Sequence, residues 1–502
     1  SSSVTSSPLQ TFSLMSLSPS TLGVGGTSSP YAIPIPIPSP WVRELKSDER
    51  GLYLIHLLIN CANHVAAFNL DHANSFLDHI SHLASPDGDA MQRIASYFTD
   101  ALARRILRSL PGLYRALNST ARFPQPAVEA AQARKHFLDL CPFLRIAYLV
   151  SNQAIIEAMD GEKMVHVIDL NASDPAQWVA LLKALNARPE GPPHLRITGV
   201  NEHRELLNHM AGVLSEEAEK LDIPFQFNPV VVSSSRLDNL DMESLRVKTG
   251  EALAISSSLQ LHSLLACEDG KLPPAASTPT PTPTGKTSLH QLHRKFHKGH
   301  GDGGGTLGEM LEKDHNLNGN GFLPSPDSGS GSSSPSPFGM VPGSMRLENF
   351  LASLWGLSPK IMVVTEQESN HNGVTMNERF MEALYFYATL FDCLESTVAR
   401  QSIERVRVEK MLFGEEIKNI IACDGMERKE RHEKLERWIQ RMDIAGFGRV
   451  PLSYYGLLQA TRMLQGFGCE AYQMKEENGC FFICWQERPL FSVSAWRCRR
   501  FE

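Results

Sequence analysis

Apolar residues recur at intervals of three and four near the beginning of the chain, which is the spacing of an amphipathic helix. One predicted helical face carries Leu54, Leu57, Leu58, Cys61 and Val65. Residues 91–106 repeat the pattern, and together the two stretches predict a mainly helical region over residues 43–135. A leucine-rich face of this kind is more often core than partner surface, so we expect most of these side chains to be buried.

Farther along, short apolar runs alternate with helical periodicity. Strands are predicted at 165–169, 195–200, 225–232, 252–257 and 360–366. Helices are expected after residues 174, 203, 259 and 375. Alternation at this spacing favours right-handed crossovers and a parallel sheet.

The last part of the pattern changes type. Residues 470–497 (EAYQMKEENGCFFICWQERPLFSVSAWR) predict antiparallel strands with a turn at Asn478 and Gly479. A parallel sheet that ends in an antiparallel hairpin matches methyltransferase-like Rossmann folds. The sequence therefore predicts an α/β fold: a Rossmann-like, mostly parallel sheet with a C-terminal antiparallel hairpin in residues 136–502, plus an α-helical cap in residues 43–135.

Two segments lack this patterning. Residues 1–42 contain no Asp, Glu, Lys or Arg and are rich in Ser and Pro, which predicts a disordered arm before a domain at 43–502. Residues 268–345 include PTPTPTGK, GDGGG and SGSGSSSPSP. This composition offers too little apolar surface to offset the entropy of ordering, so we predict a disordered insertion within the domain.

Composition and charge narrow the function classes. The 502-residue chain has 42% apolar and 21% charged residues and a formal net charge of −7, which predicts a soluble globular protein with a sizeable core. This acidic balance gives no electrostatic basis for tight binding to bare DNA, which relies on cationic side chains. Nine cysteines scattered through core-like segments favour a reducing compartment. No apolar run is long enough to span a bilayer.

The stretch KMVHVIDLNASDPAQW at 163–178 predicts a strand, a turn and a helix, the arrangement that opens a nucleotide-binding fold. Such sites have glycines in the turn so that the ligand can approach the backbone, yet no glycine lies between Asp169 and Gly191. Asp174 is placed to cap the helix, and Pro175 to occupy its first turn. We therefore predict no cofactor and no cofactor-binding residue.

The other residues that could act in catalysis or metal binding are expected to have no such role. His166 lies inside the first predicted strand, where a hydrogen-bonded core histidine is the expected role. The histidines at 290–300 have helical metal-ligand spacing, but they lie in the predicted insertion without a carboxylate or cysteine partner, so a solvated tract is expected. Cys480 and Cys484 are expected to be buried thiols. We predict no metal site.

The charged run ERKERHEKLERWIQR at 427–441 predicts a solvated helix, because Glu427 and Arg431, Glu430 and Lys434 stand four residues apart. No nucleophile elbow, P-loop or His-Glu-x-x-His motif is present. The sequence nominates no catalytic residue, and we predict that the chain is not an enzyme.

A set of motifs in fixed order supplies a resemblance. The motifs are LIHLLINCANHVAAFNLDHAN at 54–74, VHVID at 165–169, LRITGV at 195–200, GEALAISSSLQLHSLL at 250–265, a block marked by Pro359, Phe380 and Tyr387, the run Arg407-Val-Glu409 with GEEIKNII, and SAW at 494–496. In these motifs the chain resembles the GRAS family of plant transcriptional regulators. The family-motif positions are Val165, His166, Val167, Ile168, Asp169, Gln177, Trp178, Leu195, Arg196, Arg407, Glu409, Ser494, Ala495 and Trp496.

The resemblance implies a nuclear co-regulator with a Rossmann-like core and a helical cap. In the family, the leucine-rich regions mediate homotypic and heterotypic pairing, and a groove beside the cap and the SAW segment receives partners. Implied partners are other GRAS proteins, including DELLA-type repressors of gibberellin signalling, and zinc-finger transcription factors, with DNA contacted mainly indirectly and no membrane contact. The candidate partner-binding residues are Leu57, Leu58, Leu261, Trp496 and Arg497.

Two other readings stay open. Many family members have a glycine in the turn after the VHVID motif, whereas this chain has NASDPAQW there. Glu202, just after the second predicted strand, is placed like a ribose-binding acid, which keeps open a Rossmann-type methyltransferase or small-molecule-binding protein. A direct DNA-binding transcription factor is the second alternative, and a basic stripe would favour it.

Overall fold

The computed structural model describes residues 46–118, 127–232, 237–266 and 342–499. The predicted arm at 1–42 and most of the predicted insertion at 268–345 lie outside the described residues. A helix begins at Pro342, so the end of the predicted insertion is helical instead.

Helices open the described part of the chain, as the periodicity predicts. They are α1 (Ser47–Ala66), α2 (Leu70–Leu83), α3 (Ala90–Arg108), α4 (Pro111–Asn118) and α5 (Ala127–Leu140). Helix α3 begins with a capping box, in which Asp89 Oδ1 accepts the Gln92 N–H at 3.0 Å and Gln92 Oε1 accepts the Asp89 N–H at 3.2 Å. Its apolar face, including Phe98, is buried.

The described residues form a nine-stranded sheet in the order β3-β2-β1-β4-β5-β9-β8-β7, with β6 paired to β9. The strands are β1 (Met164–Asp169), β2 (His194–Asn201), β3 (Phe225–Val231), β4 (Ala252–Ser258), β5 (Ile361–Gln367), β6 (Phe447–Val450), β7 (Tyr472–Glu477), β8 (Cys480–Trp485) and β9 (Arg488–Cys498). Strands β1 to β5 pair with one another in parallel, and β9 runs antiparallel to β5. The predicted fold class is confirmed.

The hairpin turn between β7 and β8 is where the sequence predicts it. Asn478 and Gly479 both have positive φ, 54° and 78°, which matches the right-handed twist of the flanking strands. The prediction succeeds because only a few residue types adopt this backbone conformation without strain.

The remaining helices connect and cover the strands. They are α6 (Phe143–Ala158), α7 (Ala176–Asn186), α8 (Arg204–Lys220), α9 (Pro342–Gly356), α10 (Met376–Thr397), α11 (Ile403–Val408), α12 (Gly414–Ala422), α13 (Leu435–Ile444) and α14 (Tyr454–Gly466). After β4 the chain forms a short 3-10 helix, Leu261–Leu265, where a helix was predicted. Helix α3 contacts α10 and α12, so C-terminal helices pack on the N-terminal ones.

Alternation along β1 places its side chains in two different cores. Val165 and Val167 belong to the core shared with α6, α7 and the N-terminal helices. Ile168 points to the other face and packs in a second core with Leu351 of α9 and Trp438 of α13. Both faces of the parallel strands are therefore covered, which is why these strands read as continuous apolar runs.

The charged run at 427–441 differs from its prediction. Only its second half is helical, from Leu435, and the residues before it form an irregular segment at 428–434. Arg428, Arg431 and His432 are buried there. Tertiary hydrogen bonds replace the predicted helical ion pairs: Arg428 Nη1 donates to the His371 carbonyl at 3.1 Å. Helix propensity is a weak preference, which such contacts override.

Candidate functional site

A cleft lies at the carboxyl ends of β1, β2 and β4. The strand order reverses between β1 and β4, the position at which open α/β sheets bind their ligands. A cavity of about 320 Å³ opens there, lined among others by Asp169, Asn201, Glu202 and Ser258. The fold therefore keeps the ligand cleft of a Rossmann sheet.

The turn after β1 is closed by its own side chains. Asp169 Oδ1 accepts the Asn171 N–H at 3.0 Å, and its Oδ2 accepts the Trp178 indole N–H at 2.7 Å. Burial raises the pKa of Asp169 to about 6, although both hydrogen bonds oppose the shift. Asp174 Oδ1 accepts the Ala176 N–H at 2.8 Å. The helix N-terminus that would meet a phosphate is thus capped by a carboxylate, with Pro175 beside it.

Two more motif residues, His166 and Arg196, form a polar network below the cleft. His166 is fully buried, and its Nε2 lies 2.8 Å from Thr198 Oγ1. Arg196 donates from Nη2 to His166 Nδ1 at 3.1 Å and also pairs with Glu251. Burial and then the Arg196 charge lower the pKa of His166 to about 4, so the imidazole is neutral. The prediction of a hydrogen-bonded core histidine is confirmed.

The other motif residues around β1 are structural as well. Gln177 of α7 is buried, and its Nε2 donates to Asn152 Oδ1 at 3.3 Å. Leu195 of β2 is buried in the first core. Val165, Val167 and Ile168 lie in the cores described above.

The Arg407-Val-Glu409 motif has one buried and one exposed member. Glu409 is 1% exposed, and its Oε2 accepts from Arg93 Nε of α3 at 3.0 Å. Arg405 Nε lies 3.6 Å from Glu409 Oε1 on the other side. Arg407 is exposed. Glu409 therefore fixes the helical cap to the C-terminal helices, while Arg407 faces outward.

The SAW motif lies in β9 and holds that strand against β5. Ser494 and Trp496 pair in register with Val364 and Met362. Trp496 is fully buried, and its indole N–H donates to Ser494 Oγ at 2.9 Å. Ala495 is also fully buried.

The structure places four of the five expected partner-binding residues in its interior. Leu57, Leu58, Leu261 and Trp496 are between 0% and 5% exposed, so they pack in the protein's own cores. Arg497, the next residue after the SAW motif, is exposed. The apolar side chains of the leucine-rich face are buried because removing their surface from water is favourable. Of the five, Arg497 alone has an exposed side chain.

A cluster that the sequence does not reveal reaches one wall of the cavity, which three of its members line: His262, Glu430 and His432. We call it the His–Glu cluster, and its members are His262, Glu366, His371, Glu430 and His432. His262 belongs to the 3-10 helix after β4, Glu366 to β5, and Glu430 and His432 to the irregular segment at 428–434. These residues are distant in the chain, so no local spacing marks them.

The His–Glu cluster is a continuous chain of polar contacts. His262 Nδ1 lies 2.8 Å from Glu366 Oε2, and His262 Nε2 lies 3.2 Å from Glu430 Oε2. Glu430 Oε2 also lies 3.3 Å from His432 Nε2, and His432 Nδ1 lies 2.9 Å from His371 Nδ1. A single carboxylate oxygen therefore faces the Nε2 atoms of two imidazoles.

The three histidines of the His–Glu cluster differ in pKa and therefore in charge. Burial alone lowers the pKa of His262, but Glu366 and Glu430 outweigh it and raise the pKa to about 10. Burial and repulsion from the charged His262 lower the pKa of His371 to about 3 and hold that of His432 well below its usual value. The cluster thus has one cationic and two neutral imidazoles at neutral pH.

Most of this chain is similar in sequence to known proteins. A model of the GRAS domain family matches residues 54–497. The chain belongs to the GRAS domain family. The resemblance predicted from its motifs is therefore confirmed.

Several relatives support this assignment. Scarecrow-like protein 3 of Arabidopsis thaliana is 58% identical over 499 residues, covering 99% of this chain and 98% of that protein. The DELLA protein GAI1 of Vitis vinifera is 31% identical, and the alignment covers 90% of this chain and 62% of that protein. The crystal structure of SCL7 in Oryza sativa aligns with a TM-score of 0.65 at 27% identity, covering 88% of this chain and 99% of that one.

Membership in the GRAS family supports a plant transcriptional regulator role, and the regulator names of these relatives point to a non-enzymatic protein. Within the described residues, no helix is long and apolar enough to cross a membrane.

Proposed function

We propose that this GRAS chain is a nuclear co-regulator of transcription that acts by protein–protein contact. Its proposed partners are DNA-binding zinc-finger factors and other GRAS proteins, including DELLA-type repressors, with homo- or hetero-dimers as one form of the latter. DNA is reached mainly through these partners. The proposed processes are gibberellin signalling and root and developmental patterning, in keeping with the Scarecrow-like and DELLA names of its relatives.

The closed turn after β1 is the observation that supports this proposal best. Asp174 and Pro175 occupy the helix N-terminus at which a Rossmann cofactor site binds phosphate. The carboxylates of Asp169 and Glu202 line the same cavity, and the net charge of the chain is −7. Anionic ligands, including bare DNA, are therefore disfavoured at the cleft, and a partner with its own basic domain supplies DNA affinity.

Arg497 provides the first surface to test. It is exposed at the end of β9, next to the buried Trp496. Arg499 is exposed beside it and pairs with Asp443 of α13. Exposed charges at the rim of an interface change partner binding without unfolding the protein that carries them.

The experiment is binding of the full chain to candidate zinc-finger and DELLA proteins, measured by pull-down and then by surface plasmon resonance. The charge reversals Arg497→Glu and Arg499→Glu are compared with Arg462→Glu, an exposed arginine on α14. We expect weakened binding only in the first two variants. Failure of the wild-type chain to bind any regulator contradicts the proposal; equal binding by all variants contradicts only the role of this edge.

The cavity itself favours one second candidate, a small-molecule-binding protein of the Rossmann or methyltransferase type. Glu202 follows β2 and lines the cavity, as a ribose-binding acid does. Its Oε1 lies 3.1 Å from His203 Nε2, which gives the carboxylate a local partner. Calorimetry with adenosylmethionine discriminates the two functions, because micromolar binding would overturn our interpretation of the turn.

A further inference from the structure

Three side chains of the His–Glu cluster have the arrangement of a metal site. His262, Glu430 and His432 each offer one ligand atom, and these atoms all lie within 4.8 Å of one another. His262 and His432 are 5% and 1% exposed, so the site is held inside the protein. Two imidazole nitrogens and a carboxylate are the ligand set of many three-ligand zinc sites. A metal ion bound here would displace the Nε2 proton of His262, which is released to solvent.

The distances within this group fit shared coordination. Glu430 Oε2 lies 3.2 Å from His262 Nε2 and 3.3 Å from His432 Nε2. Two atoms bound tetrahedrally to one zinc ion at about 2.0–2.1 Å lie roughly 3.3 Å apart. Charge-assisted hydrogen bonds between nitrogen and oxygen are shorter, about 2.7–2.9 Å. The pair His262 Nδ1 and Glu366 Oε2, at 2.8 Å, has that shorter length.

Each imidazole has a partner on its other nitrogen. Glu366 accepts from His262 Nδ1, and Glu366 Oε1 is itself fixed by the Leu261 N–H at 2.9 Å. His432 Nδ1 lies 2.9 Å from His371 Nδ1, and His371 Nε2 lies 2.9 Å from Ser369 Oγ. Metal-binding histidines almost always have such an outer partner, which fixes the ring and its tautomer. In this group Nε2 of both rings faces the shared carboxylate.

Charge and access also favour a cation. His262, Glu430 and His432 all line the cavity of about 320 Å³, so a fourth position is open to solvent or to a ligand. Glu416 lines the same cavity, which therefore holds a second carboxylate besides that of Glu430. Repulsion among buried carboxylates is relieved when a cation binds between them.

We propose that His262, Glu430 and His432 bind one divalent transition-metal ion, with zinc the ion best matched to the ligand set, and that its fourth position opens into the cleft. The ion joins the 3-10 helix after β4 to the irregular segment at 428–434, and Glu366 and His371 orient the two imidazoles. The metal-free alternative is an ion pair in which a protonated His262 bridges Glu366 and Glu430.

The test uses the untagged full-length chain, freed of metal with a chelator and titrated with Zn²⁺ in a calorimeter. We expect one high-affinity zinc ion per chain, and a cobalt-loaded protein with the visible absorption of four-coordinate Co²⁺. His432→Gln should weaken binding by about 100-fold or more, because even the loss of an outer partner of a metal ligand costs 10–100-fold. This variant keeps the contact between His262 and Glu366 and so keeps the ion-pair alternative intact.

The histidines at 290–300 are the necessary control, since they also have metal-ligand spacing. A variant with His290, His293, His297 and His300 all changed to Ser should retain the high-affinity zinc and the cobalt spectrum. Wild-type protein that binds no zinc overturns the proposal, and so does binding that is lost in the four-serine variant but kept in His432→Gln. Thermal melts of the metal-free proteins show whether His432→Gln is folded; if it is not, Glu430→Gln, with the same expected loss, replaces it.

Discussion

The indole N–H of Trp178 donates a 2.7 Å hydrogen bond to the buried carboxylate of Asp169. Asp169 ends β1, and Trp178 lies in the first turn of α7. This bond joins the strand and the helix across a turn that has no glycine. Trp178 is fully buried, so the bond lies inside the first core.

Removing this donor should destabilise the fold. In Trp178→Phe, the Asn171 N–H is the donor to Asp169 that remains among the described residues. A lost hydrogen bond to a charged group costs about 1.5–3 kcal/mol of unfolding free energy. Urea unfolding at pH 8 measures the cost. Because the loss raises the pKa of Asp169 further above its unfolded value, the variant should lose more stability at pH 8 than at pH 5.

Trp438→Phe is the matched control. Trp438 is 1% exposed, and its indole N–H has no hydrogen-bond partner among the described residues. The two substitutions remove similar volume, so the difference between them isolates the hydrogen bond. An equal loss of stability in both variants would show that the bond to Asp169 contributes nothing.

The Arg407-Val-Glu409 motif should divide into a stabilising residue and a surface residue. Glu409→Gln removes the charge that faces Arg93 and Arg405, and breaking a buried ion pair costs about 3–5 kcal/mol. Arg407→Ala changes an exposed side chain and should stay within about 0.5 kcal/mol. Denaturant midpoints of both variants are compared with wild type. A small loss for Glu409→Gln contradicts its assigned role.

Glu368 should make stability depend on pH. Its Oε2 accepts the Leu435 N–H at 2.9 Å, and burial raises its pKa from 4.5 to about 7. A raised carboxyl pKa contributes stability that is full below about pH 4.5 and is lost as the pH rises through about 7. Glu368→Gln has no such titration, so it should match wild type near pH 4.5 and exceed it above pH 7 by at most about 3 kcal/mol. A gap that does not change with pH contradicts the shift.

Much of the fold follows from local pattern. The parallel strands are predicted within a residue or two because each is a buried apolar run flanked by a helical period. The helix predicted over the charged run at 427–441 is wrong in its first half because i,i+4 ion pairs are a local signal. Arg428 instead donates to the His371 carbonyl and Arg431 to Asn372 Oδ1, and both acceptors lie far away in the chain. Helix propensity takes no account of hydrogen-bond partners that lie far away in the chain.

Only part of the candidate site can be predicted from the sequence. The closed turn is visible in the sequence, because the stretch after Asp169 has no glycine and contains Asp174 and Pro175 next to each other. The His–Glu cluster is not, because His262 and His432 meet only when the sheet brings separate segments together. The leucine-rich face indicates a core, and the burial of Leu57 and Leu58 follows the general preference for core over partner surface.

The hairpin turn offers a last test, in which two glycines of the same backbone type have different surroundings. Gly479 and Gly468 both have positive φ, 78° and 67°, where a side chain costs about 1–2 kcal/mol. A Cβ at Gly479 would lie 2.9 Å from Pro451 Cα, whereas nothing lies within 4 Å of one at Gly468. Gly479→Ala should therefore cost about 1–3 kcal/mol more than Gly468→Ala. Equal unfolding free energies for the two variants would show that the segment at Pro451 yields freely, despite the 2.9 Å hydrogen bond from the Leu452 N–H to the Gly479 carbonyl.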